Sequence, residues 1–176
     1  MADRFEQMVD AAVPFFAELA ANNSKAWFEP HKARYEADIK KPAVFLADLL
    51  SEDFARVTGK VHTPKLFRIH RDVRFSKDKT PLNPRLHLMW SSADKDALAP
   101  VWFCGLSPTY FRAGMGVIGL QGESLTRYRA FVDAWGDELS DVLDGVSAKG
   151  GQLSDWGPEP LKRVPKPYDA DHAHED

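Results

Sequence analysis

The chain has 176 residues, 44% hydrophobic and 28% charged, with a formal net charge of −3 and one cysteine. That length suits a single domain that buries its core without staples. The charge balance excludes a generally basic nucleic-acid coat, and a lone cysteine excludes an internal disulfide framework or a cysteine-rich zinc site.

The amino terminus, MADRFEQMVD, has no cationic start leading into an apolar stretch, so no signal peptide is expected. Pro14 suits the first turn of a helix that carries Phe15, Phe16 and Leu19 and stops near Asn22 and Asn23. Ser24 is placed to cap the next helix, and Pro30 again suits a first turn, with Tyr35 and Ile39 on one face. Pro42 opens another amphipathic stretch bearing Phe45, Leu46, Leu49 and Leu50.

The period then changes to two. Phe67, Ile69, Arg71, Val73 and Phe75 alternate with Arg68, His70, Asp72 and Arg74, which predicts a half-buried strand over 67–75. Further strands are predicted at 85–90, 101–106 and 110–118, with short connections that favour antiparallel pairing. Cys104, inside an apolar run, reads as a small buried hydrophobe rather than a reactive thiol. The longest uncharged run, 97–111, is broken by Pro100, Gly105 and Pro108 and is too short for a membrane span, so a cytoplasmic protein with no membrane partner is expected.

Helix returns at 123–135, with Leu125, Tyr128, Val132 and Trp135 on one face. A second helix follows Gly136, carries Leu139, Val142 and Leu143, and ends at Gly150 and Gly151. The expected fold class is α+β: N-terminal helices, a central antiparallel sheet of about four strands and C-terminal helices. Residues 1–160 are read as one domain and 161–176 as an irregular charged tail.

The strip KLFRIHRDVRFSKDKTPLNPR, residues 65–85, concentrates charge. It holds seven lysines and arginines against Asp72 and Asp78, a net +5 that leaves −8 on the rest of the chain. Such a strip calls for an anionic partner. On a strand, Arg68, His70, Asp72 and Arg74 share one face, while Arg71 points among apolar groups and needs a carboxylate or carbonyl partner. SKDKTP reads as a turn that projects Lys77 and Lys79, and its N–H groups could cradle an anion.

The candidate ligand-binding residues are therefore Arg68, Arg71, Arg74, Lys77 and Lys79. Asn22, Asn23 and Trp27 read first as caps and core; beside the strip they would be neutral orienting groups. Asp72, held ionised between arginines, is an orienter of guanidiniums. Histidine titrates near neutrality, so His70 is the proton-transfer candidate. These two are the candidate catalytic groups.

The primary reading is a phosphate- or carboxylate-bearing small ligand, with phosphoester chemistry as the natural reaction class. Whether the protein is an enzyme stays open, and no cofactor or metal is expected. One alternative is a nucleic-acid-binding module with Trp27, Tyr110 or Phe111 as stacking surfaces. The other is a structural network of arginines and aspartates.

Three further patterns carry weaker signals. The GxGxxG at 114–119 lacks a βαβ context, so close-packed strand glycines are the better reading. The acidic and histidine-rich end, with Asp169, Asp171, His172 and His174, reads as solvated tail before metal site. Lys162, Arg163 and Lys166 form a second small basic group.

The run Arg68-x-x-Arg71-Asp72-x-Arg74-Phe75-x-x-Asp78-Lys79-Thr80-Pro81 resembles the signature of the domain of unknown function 2461 family, found in bacteria and fungi. The similarity extends upstream to Asn22, Asn23, Lys25, Trp27, Phe28, Tyr35 and Pro42. Downstream it takes in Gly114, Gly116, Arg129, Leu161, Lys162, Arg163, Pro165, Lys166, Tyr168 and Asp169. The resemblance implies no established activity. It differs at Leu82, where the family usually has an aromatic, and at the C-terminus, where family members usually run on into another segment.

Overall fold

The computed structural model describes residues 2–94, 98–117, 119–153 and 161–173. Its first third is helical: α1 (Ala2–Ala21), α2 (Lys25–Arg34), a π-helical turn (Tyr35–Lys40) and α3 (Lys41–Thr58). Ser24 is extended and its hydroxyl accepts from the Trp27 amide, which starts α2 as expected. Gly59, at φ 69°, adopts the left-handed turn that ends α3 and returns its N–H to the Ala55 carbonyl. Pro42 lies in the first turn of α3, as predicted. Pro14 and Pro30 do not start helices; both lie inside one. Each is exposed, so water can take the carbonyl that the missing N–H leaves open.

The π turn follows from where the buried residues fall. Tyr35, Ile39, Ala43 and Ala47 are all buried and lie four apart. In a straight α-helix each such step drifts about 40° around the axis, which would carry Ala47 off the core. The wider π turn, closed by the Lys41 N–H on the Glu36 carbonyl, takes up part of that drift.

The sheet is antiparallel throughout, in the order β1 (His62–Leu66), β2 (Leu86–Ser92), β3 (Val101–Leu106), β4 (Phe111–Gly116). Leu86, Leu88 and Trp90 of β2 turn toward the helices and are buried. The Trp90 indole donates to the Ala47 carbonyl of α3 at 2.8 Å, and Phe54 of α3 stacks on Trp102 at 4.4 Å. A second core cluster joins Phe15, Phe16, Leu19, Phe28 and Ile39 to Ile69 and Leu82. Cys104 is a free, half-buried thiol whose pKa burial pushes up, in keeping with the apolar reading.

Two strand assignments change. Residues 67–75 form no strand; from Arg68 to Arg85 the only bridge among the described residues is His70 with Leu82. The first strand is instead β1, whose Pro64 sits on a sheet edge, where a missing N–H does no harm. HTPKL carries too little apolar alternation to announce itself.

By compactness the chain falls into two units, residues 1–118 and 119–176. The second contains α4 (Gly122–Ala148), whose backbone leaves helical geometry at Trp135 (φ −139°, ψ 27°), beside the predicted break at Gly136. Residues 161–173 carry turns and bends only, and His172 meets Asp133 of α4 at 3.1 Å. Among the described residues no group of three or more His, Cys, Asp or Glu is placed to hold a metal, and no helix is long and apolar enough to cross a membrane. Ile118, in the glycine motif, and His174 lie outside the described residues.

Candidate functional site

The cationic strip forms a loop pinned at its base. Phe67 continues from β1 by donating to the His87 carbonyl at 3.0 Å. The Arg71 N–H reaches the Pro81 carbonyl at 2.9 Å, and the Asn83 N–H reaches the Ile69 carbonyl at 2.7 Å. On the Arg71 side the ladder stops because Pro81 has no N–H to return to the Arg71 carbonyl. Leu82, fully buried, turns its own amide the other way, onto Asn23. The Asn23 side chain donates to the Leu82 carbonyl at 2.9 Å and accepts from its N–H at 3.1 Å, standing in for a neighbouring strand.

The tip is held from within. Arg71 is 23% exposed and pairs with the Asp78 carboxylate. It also donates to the Thr80 carbonyl at 3.0 Å and to the Thr80 and Ser76 hydroxyls. Its predicted need for a carboxylate or carbonyl partner is thus met inside the loop. Asp78 accepts in addition from the Thr80 amide at 2.9 Å and hydroxyl at 3.0 Å. Those bonds, the backbone one first and the Arg71 one next, pull its carboxyl down to about 2. Lys79 caps the Val73 and Arg74 carbonyls at 3.0 and 3.4 Å. Arg71 and Lys79, both ligand candidates in the sequence, are therefore occupied in building the loop.

The outward row differs. Arg74 grips Asp72 with two parallel bonds of 3.0 and 2.7 Å, yet its side chain is 76% exposed. That contact holds the Asp72 carboxyl below its usual value, with a smaller contribution from Arg68. Arg68 and Lys77 are exposed, and among the described residues neither side chain has an ion-pair or hydrogen-bond partner. His70 is exposed at the edge of Phe28, 5.7 Å between centroids. Phe75, 95% exposed, lies under the Arg74 guanidinium.

The helix-junction candidates divide. Asn23 joins the loop through Leu82, but Asn22 caps the end of α1 on the Glu18 carbonyl. Trp27 stacks on His31 at 4.0 Å and packs against Phe15. Asn22 and Trp27 are thus engaged in capping and core packing.

One constellation escaped the sequence reading. On the sheet face opposite α3, His87 Nε2 lies 2.8 Å from the Tyr110 hydroxyl. Burial first, and then the Arg85 charge, lowers the His87 pKa. The available signal was period two within 85–90, where His87 alternates with the apolar Leu86 and Leu88. Separately, α1, the π turn and the start of α3 enclose a cleft of ≈ 480 Å³ lined by residues including Arg4, Met8, Asp38, Lys41 and Phe45.

No curated protein and no solved structure matches this chain. One protein family does, described as conserved hypothetical protein (DUF2461), over residues 11–176. With nearly the whole length matched, the chain belongs to the DUF2461 family.

Proposed function

We propose that the loop of residues 68–80 binds a phosphate- or carboxylate-bearing small ligand. The observation that carries this reading is the division of labour among its cations. Arg71 and Lys79 fix the loop from inside, whereas the Arg68 and Lys77 side chains make no hydrogen bond or ion pair among the described residues and Arg74 stays open to solvent. A loop ordered in advance lowers the conformational cost of gripping an anion. Arg68, Arg74 and Lys77 would supply charge, and Asp72 would aim the Arg74 fork. Asp72 is an orienter in this scheme, because its carboxylate is held ionised and engaged. If the ligand is turned over, His70 is the group on the outward row that can carry a proton, and phosphoester cleavage or transfer is the reaction class. A cytoplasmic setting, rich in phosphorylated metabolites, suits this reading.

A panel of phosphorylated metabolites, nucleotides and carboxylates, screened by thermal shift at low salt, tests it. A ligand at a hundred times its Kd adds about 2.7 kcal/mol, which raises Tm by roughly 5–10 °C for a chain of this size. The shift should vanish in Arg68→Ala and Lys77→Ala, which should leave the unliganded Tm unchanged. If no compound shifts Tm, the reading fails.

A second reading, that the motif is a structural network, draws support from the Arg71–Asp78 and Arg74–Asp72 pairs. It predicts that Arg71→Ala and Arg74→Ala both lower Tm while no anion raises it.

A further inference from the structure

We propose that the sheet face opposite α3 is a separate binding site for a nucleobase-bearing phosphate, with the base stacked on Phe67 beside the His87–Tyr110 pair and the phosphate met by Lys65, Arg85 and Arg112. This goes beyond the anion-binding loop and uses none of Arg68, Arg74 or Lys77.

Strand register assembles the site. His87 pairs with Gly105, and Gly105 with Arg112, so these three form one row across β2, β3 and β4. Paired residues share a face, and the row lies opposite the buried Leu86, Leu88 and Trp90. Phe67 extends the row on the other side, since its N–H bonds the His87 carbonyl. The next row begins with Lys65 opposite Met89.

Rings then gather around His87. Phe103 meets it edge-on at 5.0 Å, Phe67 at 6.3 Å, and Tyr110 lies tilted at 6.4 Å with its hydroxyl on Nε2. Gly105 makes this closeness possible, because a Cβ there would stand 3.2 Å from both the His87 and Phe103 rings. The result is an aromatic floor on a twisted sheet, with Phe67 40% exposed.

Two of the cations at this floor sit over rings. Lys65 Nζ lies 4.9 Å above Phe67, and the Arg112 guanidinium 5.8 Å from the Tyr110 centroid. Among the described residues Lys65, Arg85 and Arg112 have no carboxylate partner. Flat π surface beside unneutralised cations matches the two parts of a nucleotide, a stacking base and an anionic phosphate. Half-buried and flanked by Arg85, the His87 imidazole favours its neutral form and contributes a ring rather than a charge.

Fluorescence anisotropy at about 50 mM salt, with labelled oligothymidylate and oligoadenylate of about ten nucleotides as probes and AMP as competitor, tests the site. Both probes should bind. Phe67→Leu should weaken binding about tenfold or more, the loss of one stacked base. Arg112→Ala should reduce the salt slope by about 0.7, the share of one phosphate contact on a single strand. Gly105→Ala, which crowds the rings without touching a charge, should weaken binding as well. Competition by AMP would show that a free nucleotide suffices, whereas its failure would show that a strand is required. The proposal is overturned if neither probe binds, or if binding survives Phe67→Leu and Arg112→Ala and is lost in Arg68→Ala. The last result would place the probe on the loop.

Discussion

The loop tip at 71–80 and the sheet face around His87 both carry arginine and lysine, but they hold these charges differently. In the loop, Arg71 and Arg74 each meet an aspartate and Lys79 meets backbone carbonyls. On the sheet face, Lys65 and Arg112 lie over aromatic rings. A cation bonded to acceptors shapes the backbone and responds to pH. A cation over a ring leaves its charge available and contributes little to folding. The sequence strip of residues 65–85 runs through both regions, so its net charge alone cannot separate the two uses.

That contrast can be broken most forcefully at the base of the loop. Leu82→Ala empties a fully buried site and should cost about 2–5 kcal/mol in urea denaturation. Asn23→Ala removes both bonds to the Leu82 peptide and leaves that peptide unsatisfied, so about 1–3 kcal/mol should be lost. Phe67→Leu and Lys65→Ala, on the sheet face, should each stay within about 0.5 kcal/mol of wild type. A large loss at Lys65 would mean that its charge is structural.

The pH response sharpens the same comparison. The Asp78 carboxyl is depressed to about 2, so the stability it contributes is fully present above the ordinary aspartate value near 3.8. It is lost as pH falls through about 2. Acid denaturation of Asp78→Asn should be flatter than wild type over that window. On the sheet face the smallest effect is expected. His87 should titrate below 6.5 by NMR, and Arg85→Ala should move it part of the way back. Because its folded pKa is depressed, any stability linked to His87 is present above 6.5 and falls as pH drops below that value.

Alternation over 67–75 was legible and yet led to the wrong element. Burial alternates only over 68–74: Ile69 is buried and Arg71 and Val73 half-buried, while Arg68, His70, Asp72 and Arg74 are exposed, and Phe67 and Phe75 at the ends are exposed as well. Period two reports that a segment has two different sides, not that its peptides find partners. The facing segment holds Pro81, which cannot return a bond to the Arg71 carbonyl, and one bridge forms instead of a ladder. The inward turn of Arg71 could be read because it depends on sidedness alone. The His87–Tyr110 contact joins residues 23 apart through a strand register that cannot be counted from local pattern. By contrast, β3 came out at its observed bounds, Val101–Leu106, because Pro100 and Ser107-Pro108 frame an unbroken apolar run.

The anion-binding reading of the loop is tested most directly by a ¹H–¹⁵N NMR titration with inorganic pyrophosphate at low salt. Shifts should saturate on the amides of residues 68–77, and those shifts should disappear in Arg68→Ala. Shifts that are absent, that never saturate, or that persist unchanged in Arg68→Ala would contradict it.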